Sequence, residues 1–261
     1  MSGRTRDKHQ GRKQPHRRDP VNARKAEGPY GRQLKRVAQN VGRIINAFPP
    51  DEPNAVPPMT AVLNAYAETL TEWAHATALQ MVTDVNRRDR DAFMKRARDM
   101  STALQQELRN AETGRVMRQL LAEQVDLIKS IPLEAAKRVH VLTSEALLDS
   151  TRAAEIAKEI MRSGEVAESR ALLIARTEVA RTAAKLTEAR AQAVGSTHYI
   201  WRTSGDSDVR AGHRHMNGKV FAWNDPPMVN EGTDKRPVWM RHHPGEIWNC
   251  RCWAEPILAK E

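Results

Sequence analysis

Residues 242–252 read HHPGEIWNCRC, and they contain both cysteines of a 261-residue chain. Two thiols one residue apart, preceded by adjacent imidazoles, are the residue types that bind a soft or borderline metal ion, exchange a disulfide, or pack as small apolar groups. On an extended strand, residues two apart share a face, so Cys250 and Cys252 would present both sulfurs to one side. More imidazoles come from His213 and His215 in HRH. His213, His243, Cys250 and Cys252 together supply a Cys2His2 zinc set, which would close a tetrahedral shell and act in structure rather than turnover. Pro244 and Gly245 would turn the chain so that His243 reaches back over the cysteine strand. Two other readings stand beside it: buried thiols with backbone-bonded histidines, and a redox pair.

Other polar residues near this segment have simpler roles. Asp206 and Arg210 in SGDSDVRAGH are spaced to pair and fix the turn before His213. Arg176 and Glu178 in ARTEVAR either turn inward to anchor the first strand or the HPG loop, or stay solvated. No Ser-His-Asp order, phosphate-binding glycine loop or H-E-x-x-H occurs, so catalysis has no positive motif.

The elements that must position these groups fall into three parts. Residues 1–57 form a basic arm, an amphipathic helix and a proline-rich linker. The first 28 residues have almost nothing to bury and should be disordered alone. Leu34, Val37, Val41, Ile44 and Phe48 then recur at helical spacing, marking a docking helix or a core helix. Five prolines between Phe48 and Met59 predict a stiff extended linker. Residues 58–165 read as helices: Leu63, Tyr66, Leu70 and Trp73 make one stripe, Pro132 suits the first turn of a new helix, and Ser163 and Gly164 mark a joint. Residues 166–261 open with a helix whose stripe is Leu172, Val179, Ala183, Leu186 and Ala193. The composition changes at Gly195: five of the six tryptophans, Trp201, Trp223, Trp239, Trp248 and Trp253, lie beyond it. Short β-like pieces fall at HYIWRT, KVFAW and CRCWAEPI, with NDPPMVNEGTDKRPVW as a loop. The fold class is therefore mainly α with a small C-terminal α+β domain: a basic disordered arm, a long helical region and a compact tryptophan-rich unit.

Residues 1–48 hold thirteen Lys or Arg against Asp7, Asp19 and Glu27, a net +10, and the rest of the chain balances 29 basic with 29 acidic residues. The entire excess charge lies in the arm. Arg12, Lys13, Arg17, Arg18, Arg24, Lys25, Arg32, Lys35 and Arg36 are its candidate phosphate contacts, because neutralised phosphates release condensed counterions. No run approaches a membrane span and the basic N-terminus lacks an apolar export core, which predicts a soluble chain made in a reducing cytoplasm.

ARTEVARTAAKLTEARA, WRTSGDSDVRAGHRHMNGKVF and HHPGEIWNCRCWAEPIL, in that order, resemble the C-terminal domain of the phage Mu protein F-like head-morphogenesis proteins, the minor capsid proteins of tailed bacteriophages. The resemblance covers about residues 166–258, with a weaker helical lead-in. It places Arg176, Glu178, Trp201, Asp206, Arg210, Gly218, Pro244, Gly245 and Asn249 in the family motif. Met216 stands where the family usually has Leu. The resemblance implies a minor head protein, made with the portal protein and head proteins and held inside the virion head near the portal vertex. There the arm would meet packaged double-stranded DNA. It also leaves a second class open, a metal-dependent nuclease or toxin-like enzyme with His213, His242, His243 and Asn249 around a metal.

Overall fold

The computed structural model describes residues 18–48, 56–97, 106, 113–148 and 153–258. Most of the sequence's apolar stripes become one helical core. α1 (Arg24–Asn46) buries Tyr30, Leu34, Val37, Ala38, Val41 and Ile45, so it is a core helix and not a free docking element. Val21, Ala23 and Ala26 are buried as well. The expectation of a core-free segment through residue 28 therefore fails for its C-terminal end, and residues 1–17 lie outside the described residues.

α2 (Val56–Thr69) takes in Pro57 and Pro58 at its start, where a missing N–H costs no helical bond. The last part of the expected linker is thus helix, and residues 49–55 lie outside the described residues. α3 (Thr71–Arg96) follows. The expected stripe is internal: Leu63 and Leu70 are buried, while Tyr66 and Trp73 pack half-buried against the same core. α4 (Thr113–Leu148) runs straight through Pro132. Burial of Ile128 and Ile131 holds the helix across the lost hydrogen bond.

α5 (Ala153–Met161) and α6 (Ser163–Ala193) are separated by Arg162 alone, which keeps helical dihedrals. α6 is the axis of the molecule, packing on α1, α3, α4 and the last strand. Its buried face runs through Ala167, Ala171, Ala175, Val179, Ala183 and Leu186. The two ends of the expected stripe are exposed, since Leu172 and Ala193 point outward. Small residues on this face let α1 come close: a Cβ on Gly164 would stand 2.9 Å from Gly42 Cα.

The C-terminal unit is built on β1 (His198–Arg202), α7 (Ala211–Met216), β2 (Val220–Ala222), β3 (Met228–Asn230), β4 (Trp239–Arg241) and β5 (Trp253–Pro256). β1 is the centre of an antiparallel sheet ordered β2-β1-β5. The stretch expected to be a loop instead forms the β3–β4 hairpin, with Val229 paired to Met240. Its tip closes through a bridge between Thr233 and Arg236. Tyr199, Trp201 and Trp223 are buried with Cys250, Cys252 and Ile247, and Phe93 of α3 joins them. Trp239 and Trp248 stay exposed.

Candidate metal centre

Three separate segments bring the chemistry together. α7 carries His213 inward because Gly212 lets the helix lie against β3, where a Cβ would come within 2.2 Å of Asn230 O. The β3–β4 hairpin supplies Glu231 just after β3 and His242 just after β4. The turn before β5 supplies the cysteines, with the Cys250 N–H donating to Ile247 O. The cysteines thus lie in a turn, not on a strand as expected, but their sulfurs still converge.

His213 is the hub. Its Nδ1 lies 3.3 Å from Cys252 Sγ and 3.5 Å from Cys250 Sγ, and its Nε2 lies 2.6 Å from Glu231 Oε1. Burial pulls this imidazole down, but hydrogen bonds to Cys250 and Glu231 outweigh it and lift it to about 9. Burial raises Glu231, but His213 and His242 win and hold it at about 2. An ionised carboxylate only accepts, so Nε2 of His213 must carry a proton and Nδ1 is the nitrogen that addresses the sulfurs. The hydrogen bond from Cys252, then His213, drives the Cys250 thiol well below its usual range, while Cys252 is pushed up by holding that proton and by burial.

His242 donates from Nδ1 to the His243 carbonyl at 2.9 Å and from Nε2 to Glu231 Oε1 at 2.8 Å. Both partners are acceptors, which requires an imidazolium, and the upward shift of His242 agrees with that: burial opposes it and Glu231 prevails. The two imidazoles are thus pinned by one carboxylate, with Arg210 Nη1 3.5 Å from its other oxygen.

His243 is not brought to the sulfurs. It turns the other way, with Nδ1 hydrogen-bonded to the Tyr199 hydroxyl at 2.9 Å, and burial lowers its pKa. Its backbone N–H donates to Glu246 Oε2 at 2.7 Å, and Lys185 of α6 pairs with Glu246. Pro244 and Gly245 do turn the chain, but they dock it on α6. Gly245 has φ 91° and room for no Cβ closer than 3.2 Å to Ala184 Cβ.

The remaining motif residues hold the frame. Asp206 does not pair with Arg210; it accepts from Arg251 at 3.0 Å, while Arg210 donates to Trp248 O at 2.9 Å and faces Glu231. Arg176 donates to Asn249 Oδ1 at 3.2 Å and to Glu27 at 3.3 Å, and Thr177 Oγ1 accepts from the Asn249 N–H. Asn249 sits at φ 55°, so this clamp fixes a left-handed turn just before the cysteines. The nuclease-like set His213, His242, His243 and Asn249 does not converge, because His243 turns away to Tyr199 and Asn249 is bonded to Arg176. Glu178 faces the bundle, not the HPG loop: Tyr30 donates to Gln124, and Gln124 donates to Glu178 at 2.7 Å. Trp201 packs edge-on to His213 and His242, and Gly218 at φ 83° ends the turn into β2 by donating to Trp201 O.

Sequence reasoning missed Glu231, His242's place beside it, and Gly212. Glu231 sat in a segment read as a loop, and the only available signal was its place between MVN and VWM, two short apolar pieces that pair. Among the described residues two donor groups result, His213 with Cys250 and Cys252, and His213 with Glu231 and His242.

Of the candidate phosphate contacts, Arg12, Lys13 and Arg17 lie outside the described residues. Arg18, Arg24, Lys25, Arg32 and Arg36 are exposed, and half-buried Lys35 pairs with Glu168 at 3.1 Å. With Arg43, those on α1 occupy an arc of about 120° at 3.6 residues per turn, opposite the buried face.

Comparison with known proteins matches residues 137–255 to the family described as phage Mu protein F like protein. An uncharacterized protein of Haemophilus influenzae is 34% identical over 139 residues, 53% of this chain. The match spans 29% of that relative's length. No solved structure matches the chain.

Proposed function

We propose, from the match of residues 137–255 to the phage Mu protein F-like family, that the chain is a minor head protein acting in phage head morphogenesis. In this reading it joins the head near the portal vertex and its basic N-terminal part meets packaged double-stranded DNA. The family match carries the first half. The exposed basic face of α1 supports the second, since a helix that buries one side in the core and lines the other with Arg24, Lys25, Arg32, Arg36 and Arg43 offers a fixed row of charges to a phosphate backbone.

Two measurements test the halves separately. Heads purified after expression of the full head-gene set should contain this chain in few copies, located at the portal vertex by a map of the particle; heads that assemble normally and lack it would remove the role. Replacing Arg32, Arg36 and Arg43 with Gln should weaken duplex DNA binding at all sequences alike and flatten its dependence on log salt by about three. An unchanged slope would free α1 from DNA contact.

A further inference from the structure

We propose that His213 Nδ1, Cys250 Sγ and Cys252 Sγ form a three-ligand site for a thiophilic divalent ion such as Zn2+, with Glu231 orienting the histidine and the fourth corner left to a ligand from solvent. This goes beyond the head-assembly role and does not depend on it.

The distances separate the two donor groups. A tetrahedral zinc with ordinary bond lengths sets its nitrogen and sulfur ligands about 3.6 Å apart. The observed Nδ1 to sulfur distances, 3.3 and 3.5 Å, are already close to that edge. Around His213, Glu231 and His242 the corresponding nitrogen-to-oxygen edge would be about 3.3 Å. The observed 2.6 and 2.8 Å are too short for two ligands of one ion and fit hydrogen bonds. One group is thus a ligand set and the other is its support. Glu231 fixes the tautomer that leaves Nδ1 free for the metal, the arrangement by which carboxylates orient metal-binding histidines.

Charge and access agree. His213, Cys250 and Cys252 are each at most 6% exposed. A divalent ion replacing the protons on His213 Nδ1 and Cys252 Sγ leaves their shared pocket with unchanged net charge, and two protons pass to solvent. His243 is held by Tyr199 and Glu246, so among the described residues no fourth protein donor is aimed at this point. Instead, a cleft of about 280 Å3 reaches His213 and both cysteines, with Arg176, Arg210 and Arg251 on its walls. The fourth corner therefore suits water or a small anion rather than a side chain.

Titration of the reduced full-length protein with Co2+ tests this. One ion per chain should bind, with thiolate-to-cobalt charge-transfer absorption, and Zn2+ should displace it. Cys250→Ser should lose about half that absorption. Glu231→Gln, which keeps the shape, should weaken binding about 10- to 100-fold, and His243→Ala should leave stoichiometry and spectrum unchanged. Inorganic phosphate should shift the cobalt bands through the open corner. Absence of charge-transfer absorption in the wild-type protein, equal binding by Glu231→Gln, or loss of the site in His243→Ala would each overturn the assignment; bands indifferent to phosphate would overturn the open corner.

Discussion

Asp89 has no exposed surface, and its oxygens accept from Thr187 and Arg190, while Arg190 also donates to Asn86. This polar knot ties α3 to α6 immediately behind the C-terminal unit. Asp89→Asn leaves a buried guanidinium without its counter-charge and should cost about 3–5 kcal/mol in denaturant unfolding. Adding Arg190→Met to it should recover part of that loss, because the unpaired charge is then gone. If Asp89→Asn unfolds like the parent, the knot contributes packing only. The relay from Tyr30 through Gln124 to Glu178 is a second example at this scale, since each group satisfies the next in a place water does not reach.

Two docking devices operate between elements. The first is the close crossing of α1 and α6 at Gly42 and Gly164. Gly164→Ala must force the two backbones apart, which should cost about 1–3 kcal/mol, read as a lower melting temperature. A melting temperature at or above the parent's would mean that the helices yield freely. The second is the HPG turn, held on α6 by Lys185 and Glu246. Burial works against the Glu246 carboxylate, but Lys185 and the His243 N–H keep it below its ordinary 4.5. Because the folded value lies beneath the unfolded one, the stability it adds is present above about pH 4.5 and is lost as the pH falls through the lowered value. Glu246→Gln should therefore melt lower than the parent at pH 7 and approach it in acid. A gap that stays constant across that range would assign the effect to shape instead of charge.

At the scale of the whole molecule, α6 belongs to both halves. It closes the helical core with α1 and α4, and its Arg176, Thr177 and Lys185 hold the successive turns that lead into the cysteines. Removing residues 1–48 takes away α1 and its buried Leu34, Val41 and Ile45. That truncation should lower helicity and broaden the unfolding transition, measured by circular dichroism, and should disturb the C-terminal unit as well. A truncated chain with the parent's melting temperature would show that the two halves fold independently. No helix among the described residues is long and apolar enough to cross a membrane.

Helical spacing in the sequence was enough to find the stripe of α1 and the helices of the long middle region, because a period of 3.6 is a local property of the backbone; the ordered motifs of the last ninety residues were legible only as a resemblance to a known family. The same spacing could not say whether α1 docks outward or inward; only packing against α6 makes it a core helix. The candidate site divides in the same way. Two cysteines one residue apart and a histidine in HRH were legible as ligands, since their chemistry is carried by residue type. Which neighbour of the pair His242 and His243 faces the centre was not, because adjacent residues diverge and the choice depends on how β4 leaves the hairpin. Glu231 was invisible for a related reason: it meets His213 and His242 across 18 and 11 residues of chain. Contacts of that range exist only after the hairpin, α7 and the cysteine turn have been packed together around Trp201.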